Sequence, residues 1–250
     1  MRRELLGIGR WTFYGLGLLG ALLLLGAAPT PDTPEASSSG GVQVPVVLDG
    51  VRYEPEVFNR LWADLNRRGI YLCFTFARDG TFVAFSTKEA CDDFLQKEWG
   101  LPPVIVPSLL SPPLRVRVEG TQVWVEPLED ADAAPSPPAD GSGGMAPQQL
   151  CPLPDFYWSR NWEHILCQGW ALNVSFGSQI GDLRQIPRPC AGSWNDCISS
   201  AQAPAGIRQL ILWEHIHFQG NYFPIPAGWT APDLRAFGWN DRVSSLYAQP

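Results

Sequence analysis

Seven residues occur twice in this chain, as Trp194-Asn195-Asp196-Cys197-Ile198-Ser199-Ser200 and as Trp239-Asn240-Asp241-Arg242-Val243-Ser244-Ser245. Five of the seven positions are identical, a sixth exchanges Ile for Val, and the copies lie 45 residues apart (194 to 239). Recurrence at that period marks a duplicated supersecondary unit. Its length is about what four short strands and their turns require. Each copy reads as a polar loop running into a strand. Asn and Asp accept local backbone bonds and tolerate tight turns, the β-branched residue enters the core, and the two serines straddle the strand's faces. The loops also concentrate oxygen: amide, carboxylate and hydroxyl groups with freed carbonyls, a set suited to a hard cation such as calcium.

Upstream of the second copy, Leu210 to Trp213 is a short apolar strand leading into Trp213-Glu214-His215-Ile216-His217-Phe218-Gln219-Gly220. That is an aromatic, four residues, then Phe-x-Gly. Gly220 supplies the positive φ of a sharply folded hairpin, and an aromatic can cover the bare backbone. Together with Asn240-Asp241-x-x-Ser244-Ser245, this resembles the Greek-key motif of the βγ-crystallins, with microbial calcium-binding members nearest in kind. Pro226-Ala227-Gly228 and Asp233-Leu234 through Gly238 fit that family's third-strand region. The first motif departs from the pattern. Its hairpin signature reads as Tyr157…Trp162-x-His164 with His in place of the glycine. The 31 residues from His164 to Asn195, against 20 from Gly220 to Asn240, imply an insertion carrying Cys167 and Cys190.

The resemblance implies paired calcium sites, each loop lending ligands to the other's site. Asn195 and Asn240 belong to the loops. Asp196, Asp241, Ser199 and Ser244 would give side-chain oxygens, and Cys197, Arg242 and the hairpin position Ile216 would give carbonyls. One carboxylate per site implies modest affinity, about 10⁻⁵ to 10⁻³ M. The same loops can also be read as turn chemistry alone. His215 and His217 alternate onto one strand face but lack a visible third ligand, so they read as solvated strand residues. Most of the eleven Trp are expected in the core.

The rest of the chain reads as an exported protein. Arg2, Arg3 and Arg10 precede an apolar run from Trp11 to Ala28, ending in Gly26-Ala27-Ala28. Residues 1–28 are thus a signal peptide or, uncleaved, a membrane anchor, the only membrane contact expected. Residues 29–41 and 129–150 are Pro-, Ser- and Gly-rich linkers. They bracket a small α+β domain at 42–128, of no announced role, and leave the crystallin-like domain at 151–250. Within 42–128, strands are expected at Val42 to Leu48, Ile70 to Ala77 and Thr81 to Ser86, the last two joined by Asp79-Gly80. A helix follows Pro55, with Val57, Phe58, Leu61, Trp62 and Leu65 on one face and Gly69 at its stop. Ser86 and Glu89 form a capping box for a second helix through about Lys97. Asp92 and Asp93 read as solvated charges, and a hairpin around Glu119-Gly120 closes the segment. The expected fold is therefore mainly β, a double Greek-key β-sandwich preceded by a small α+β domain.

Six cysteines in an exported chain read as disulfides. Cys73 and Cys91 are placed to meet. Cys151, Cys167, Cys190 and Cys197 admit three pairings, each segment closing its own bridges. No CxxC pair occurs and only three His are present, which argues against structural zinc. Net charge is −7 without a basic stripe, which excludes nucleic acid as a partner. Asn173-Val174-Ser175 is a glycosylation sequon expected to go unused. No Ser/His/Asp order, acid pair or metal triad stands out, so the chain is expected to be non-enzymatic. The leading expectation is a secreted or extracytoplasmic binding or structural protein with calcium as partner. The alternative is a secreted inhibitor of proteases, metalloproteinases among them, acting through the inserted loop of the first motif.

Overall fold

A computed structural model describes residues 40–107, 113–128, 151–188, 192–206 and 208–250. Residues 1–39 and 129–150, which hold the expected signal or anchor and the linkers except for residues 40 and 41, lie outside them.

Three hairpins and two helices form the first segment: β1 (Val46–Leu48), β2 (Val51–Tyr53), α1 (Pro55–Arg67), β3 (Cys73–Phe76), β4 (Phe82–Phe85), α2 (Lys88–Trp99), β5 (Leu114–Glu119) and β6 (Gln122–Pro127). Pro55 opens α1, where its missing N–H is no loss, and the buried face is Phe58 and Trp62. Val57 turns outward instead. The cap of α2 is Thr87, one residue beyond the expected Ser86; its hydroxyl accepts from the Ala90 amide at 3.3 Å. Asp92 is not a free solvated charge. It pairs with Lys88 and accepts the Val104 amide at 2.8 Å, which anchors the chain leaving α2. Asp93 does face solvent, beside Lys97.

The second segment contributes β7 (Trp158–His164), β8 (Gln168–Ser175), β9 (Gln179–Ile180), β10 (Ser200–Gln202), β11 (Gln209–His215), β12 (Gln219–Pro226), β13 (Thr230–Ala231) and β14 (Ser245–Gln249). Strands β7 to β10 form one Greek key and β11 to β14 the other. The third strand of each crosses over: β9 pairs with β14 of the second motif, and β13 pairs with β10 of the first. This exchange ties the two sheets into a crystallin-like double Greek key.

Both sheets then continue into the first segment. Their orders are β2-β1-β4-β3-β12-β11-β14-β9 and β13-β10-β7-β8-β6-β5. Strand β6 lies parallel to β8 over four residue pairs. Strand β3 meets β12 at Tyr222 and Cys73. Pro224 and Pro226 keep β12 from donating along its whole edge, and the Thr75 hydroxyl meets the Pro224 carbonyl at 2.9 Å instead. The 129–150 stretch thus divides the chain in sequence, while the sheets run across both segments. Pairing these edges removes open strands that would otherwise recruit other chains.

One core joins the segments. Phe58, Trp62, Phe74, Phe76 and Phe82 pack with Trp194, Trp239, Phe223 and Leu234, all buried. Trp158, Trp194, Trp213 and Trp239 are fully buried, so the tryptophans are mainly core. Disulfides join Cys73 to Cys91 and Cys151 to Cys167, each within its own segment. Cys197 carries a free thiol, and Cys190 lies outside the described residues. Asn173 of the sequon is fully buried, its amide donating to Gln122 at 2.9 Å, so no glycan can reach it.

Candidate functional site

The repeat is longer than its seven-residue core, and the first hairpin is not where Tyr157 would put it. Trp162-Glu163-His164-Ile165 matches Trp213-Glu214-His215-Ile216, and Gln168-Gly169 matches Gln219-Gly220. Gly169 and Gly220 share φ of +81°. The ring of the preceding histidine lies over each glycine. An added Cβ would come within 2.8 Å of His164 or 2.7 Å of His215, so only glycine fits. The glycine of the first motif is therefore present, as Gly169, and His164 is the counterpart of His215 rather than a replacement for it. Among the described residues, neither His215 nor His217 belongs to a group of three His, Cys, Asp or Glu. The first motif's extra length shrinks to six residues between Gln185 and Trp194, and Cys167 lies outside it, at the Phe218 position.

The two serines of each loop divide their work. Ser200 donates to the His164 carbonyl at 2.8 Å and accepts the Cys167 amide at 3.1 Å. Ser245 does the same for His215 at 2.7 Å and Phe218 at 3.1 Å. The second serine thus locks the folded hairpin, satisfying backbone groups that its positive φ angles leave unpaired.

The first serine faces the other loop. Ser244 donates to Asp196 Oδ1 and Ser199 to Asp241 Oδ1, both at 3.2 Å. Backbone bonds repeat the exchange, Asp196 N–H to the Val243 carbonyl at 3.0 Å and Asp241 N–H to that of Ile198 at 3.1 Å. Asp196 and Asp241 both sit at φ +52°, a conformation that Asp tolerates. Asn195 and Asn240 each donate to the second oxygen of the adjoining carboxylate, at 2.5 and 2.6 Å. Six sequence-derived residues thereby meet as two mirrored sets: Asn195, Asp196 and Ser244; Asn240, Asp241 and Ser199.

The remaining three are placed differently. Ile216 opens the folded turn before His217; its counterpart Ile165 does not figure among the sequence-derived residues because the first hairpin was misaligned. Cys197 is half-buried in its loop. The Arg242 side chain turns away to Glu214 and to the Gly238 carbonyl, at 3.1 Å for the latter.

The carboxyl groups of Asp196 and Asp241 are both pushed above the ordinary carboxylate range. Partial desolvation against the facing loop is the main cause, and hydrogen bonds from the facing Ser and adjacent Asn oppose it. For Asp196 the nearby Asp241 charge adds to the rise. Two desolvated, mutually repelling carboxylates favour whatever brings positive charge between the loops. Asn195 Oδ1 is buried without a partner, a spare acceptor beside Asp196. The residues present therefore fit calcium: carboxylate, amide and hydroxyl oxygens without nitrogen or sulfur donors converging. Among the described residues no three His, Cys, Asp or Glu come together, so each set offers one carboxylate with amide and hydroxyl oxygens.

No protein-family model matches the chain, and no curated protein matches it. Solved structures similar to it include a βγ-crystallin domain bearing on the evolution of the eye-lens fold, at 21% identity over 38% of this chain and 88% of that one, TM-score 0.33. An archaeal βγ-crystallin is 19% identical over 37% of this chain and 98% of its own, TM-score 0.29. Spherulin 3a of Physarum polycephalum is 22% identical over 38% and 84%, TM-score 0.30. These likenesses concern the fold alone. The double Greek key itself is defined by the strand order and the exchanged third strands.

Proposed function

We propose that the chain is an exported, non-enzymatic binding or structural protein whose crystallin-like part is clamped by calcium. The observation that carries this reading is the reciprocal pairing of Asp196 with Ser244 and of Asp241 with Ser199. Each pair draws one residue from either loop, so a cation held there would bind the loops to each other and stabilise the fold by mass action. Asp196, Asp241, Ser199, Ser244 and Asn195 would hold the ion through side-chain oxygens. The carbonyls of Cys197, Arg242 and Ile216, and of Ile165 by symmetry, are the remaining donors. Calcium would supply charge neutralisation and a tether, and no reaction step.

Two disulfides accord with an oxidising compartment. No helix among the described residues is long and apolar enough to cross a membrane.

The test is thermal unfolding of the full chain, disulfides intact, in excess EDTA and then in millimolar calcium or magnesium. A calcium-specific rise of several degrees, lost in the Asp196→Ala, Asp241→Ala double variant, is expected. An equal midpoint with and without calcium would reduce the loops to turn chemistry. Protease inhibition then becomes the reading to pursue, and inhibition of a secreted protease at micromolar protein would establish it.

A further inference from the structure

The two loops are mirrored within the crystallin-like fold but not in what stands behind them. The second is held by residues 42–128. Val42 pairs with Phe237 as an isolated antiparallel bridge, and the Gln43 amide meets the Ala236 carbonyl at 2.8 Å. Gly238, at φ +70°, admits this approach only because it lacks a Cβ, which would lie 2.9 Å from the Val42 nitrogen and 3.0 Å from the Trp62 ring. The Arg242 guanidinium lies over Trp62 at 4.5 Å from the ring centroid. It also pairs with Glu214, whose other oxygen accepts from Asn221. Asn221 is fully buried and completely satisfied. It donates to Asn66 Oδ1 at 3.0 Å and accepts the Leu72 amide at 2.7 Å. A continuous polar chain thus runs from α1 through Asn221 and Glu214 to the residue beside Asp241.

The first loop has different support. Cys197 stands where Arg242 stands in the second. Glu163, the counterpart of Glu214, pairs with Arg188 of the inserted stretch at 2.5 Å. Trp170 occupies the place of Asn221.

From this asymmetry we infer that residues 42–128 act as a positioning element for the second loop. Docking of α1 sets the backbone of Asn240 to Arg242, and a cation bound there stabilises that docking in return. The energetic link is reciprocal, as any coupling between binding events must be. This inference rests on the calcium reading for its ligand, but the coupling of α1 to the loop stands without any ion.

The experiment therefore has two arms, both on the full chain with disulfides intact. In EDTA, hydrogen exchange is compared between the unaltered protein, Trp62→Leu and Asn66→Ala. Amides of Asn240 to Val243 should exchange roughly three- to tenfold faster in the variants, the scale of a lost cation–π contact or buried hydrogen bond, while those of Asn195, Cys197 and Ile198 hold steady. Asp196 is left out because its amide bonds to the Val243 carbonyl. Equal acceleration in both loops, or none at 240–243, would overturn the proposal. Should Trp62→Leu fail to fold, Asn66→Ala carries the comparison, because it removes one acceptor and leaves the core rings in place. In the second arm, calcium titration should show one of two binding steps weakened by a similar factor in each variant. Weakening of both steps alike would also overturn it. If the unaltered protein binds no calcium, the clamp fails as a function, while the exchange arm still decides whether α1 positions the loop.

Discussion

Set side by side, the two Greek keys share a histidine-covered glycine, a serine that locks the folded hairpin, and an Asp-Leu-Arg turn, at 182–184 and 233–235. Each is backed by different chemistry. The first motif has a disulfide at Cys167 and an ion pair between Glu163 and Arg188. The second has the buried Phe218 ring in place of Cys167, and Arg242 stacked on Trp62. Duplication preserved the groups that close the loops on each other, while the packing behind them diverged with whatever neighbour each motif acquired. The second motif acquired residues 42–128 at its loop, and its tryptophan has aromatic neighbours there. Trp239 contacts Phe74 at 5.9 Å and Phe223 at 5.6 Å between ring centroids.

That difference predicts the largest mutational effect. Trp239→Ala should lose about 4–5 kcal/mol and Trp194→Ala about 3 kcal/mol, both being fully buried and the aromatic pairs making the gap. Urea unfolding of the full chain measures both. Equal losses would mean that Phe74 adds nothing behind the second motif, and the asymmetry would then be confined to polar contacts.

The disulfide supplies the next test. Joint replacement of Cys151 and Cys167 by serine opens a loop of sequence separation 16 and should lower stability by about 2–3 kcal/mol. If the bridge substitutes for the ring that the second motif has at Phe218, the loss should fall on the first hairpin. Amides from Leu166 to Gly169 would then exchange faster, with those from His217 to Gly220 unmoved. A loss shared by both hairpins would show that the bridge acts on the whole sandwich instead.

The comparison also shows where sequence was readable. The Trp-Asn-Asp loops and the second hairpin carry their chemistry in contiguous residues, so spacing alone locates them. The first hairpin hides because Cys167 occupies the Phe218 position, and a search keyed to an aromatic there passes over it. The identical Trp-Glu-His-Ile at 162–165 and 213–216, with Gln-Gly following in both, is the signal that finds it. Thr87 and Ser86 are adjacent hydroxyl residues of similar capping strength, so which one caps α2 is settled by strand length rather than by local preference. The joining of β3 to β12 and of β6 to β8 left no such trace. A parallel contact between residues some 50 to 150 positions apart has no local pattern, because the strands concerned are apolar enough to suit either an independent domain or a shared sheet. The polar chain from Asn66 to Arg242 is invisible for the same reason.

The smallest effect tests whether the motifs are equivalent where their sequences agree. Asp182 and Asp233 cap matching 3-10 turns, each accepting from an arginine two residues on at 2.9 Å and 2.8 Å. The arginine hydrogen bonds hold both carboxyls below the ordinary value of 3.8, partial burial opposing. A carboxyl depressed on folding contributes stability that is complete above its unfolded pKa and is lost as pH falls through the lower folded one. Both arginines are exposed, so each contribution should stay below about 1 kcal/mol. Asp182→Asn and Asp233→Asn keep the cap acceptor and remove the charge. Each should therefore cost the same small amount at neutral pH and converge with the unaltered protein as pH falls below 3.8. Stability curves measured in EDTA, where calcium cannot mask the slope, would show this. Unequal losses would mean that the six-residue insertion next to Gln185 reaches back to the first turn, and that the divergence of the two motifs extends into the parts where they look the same.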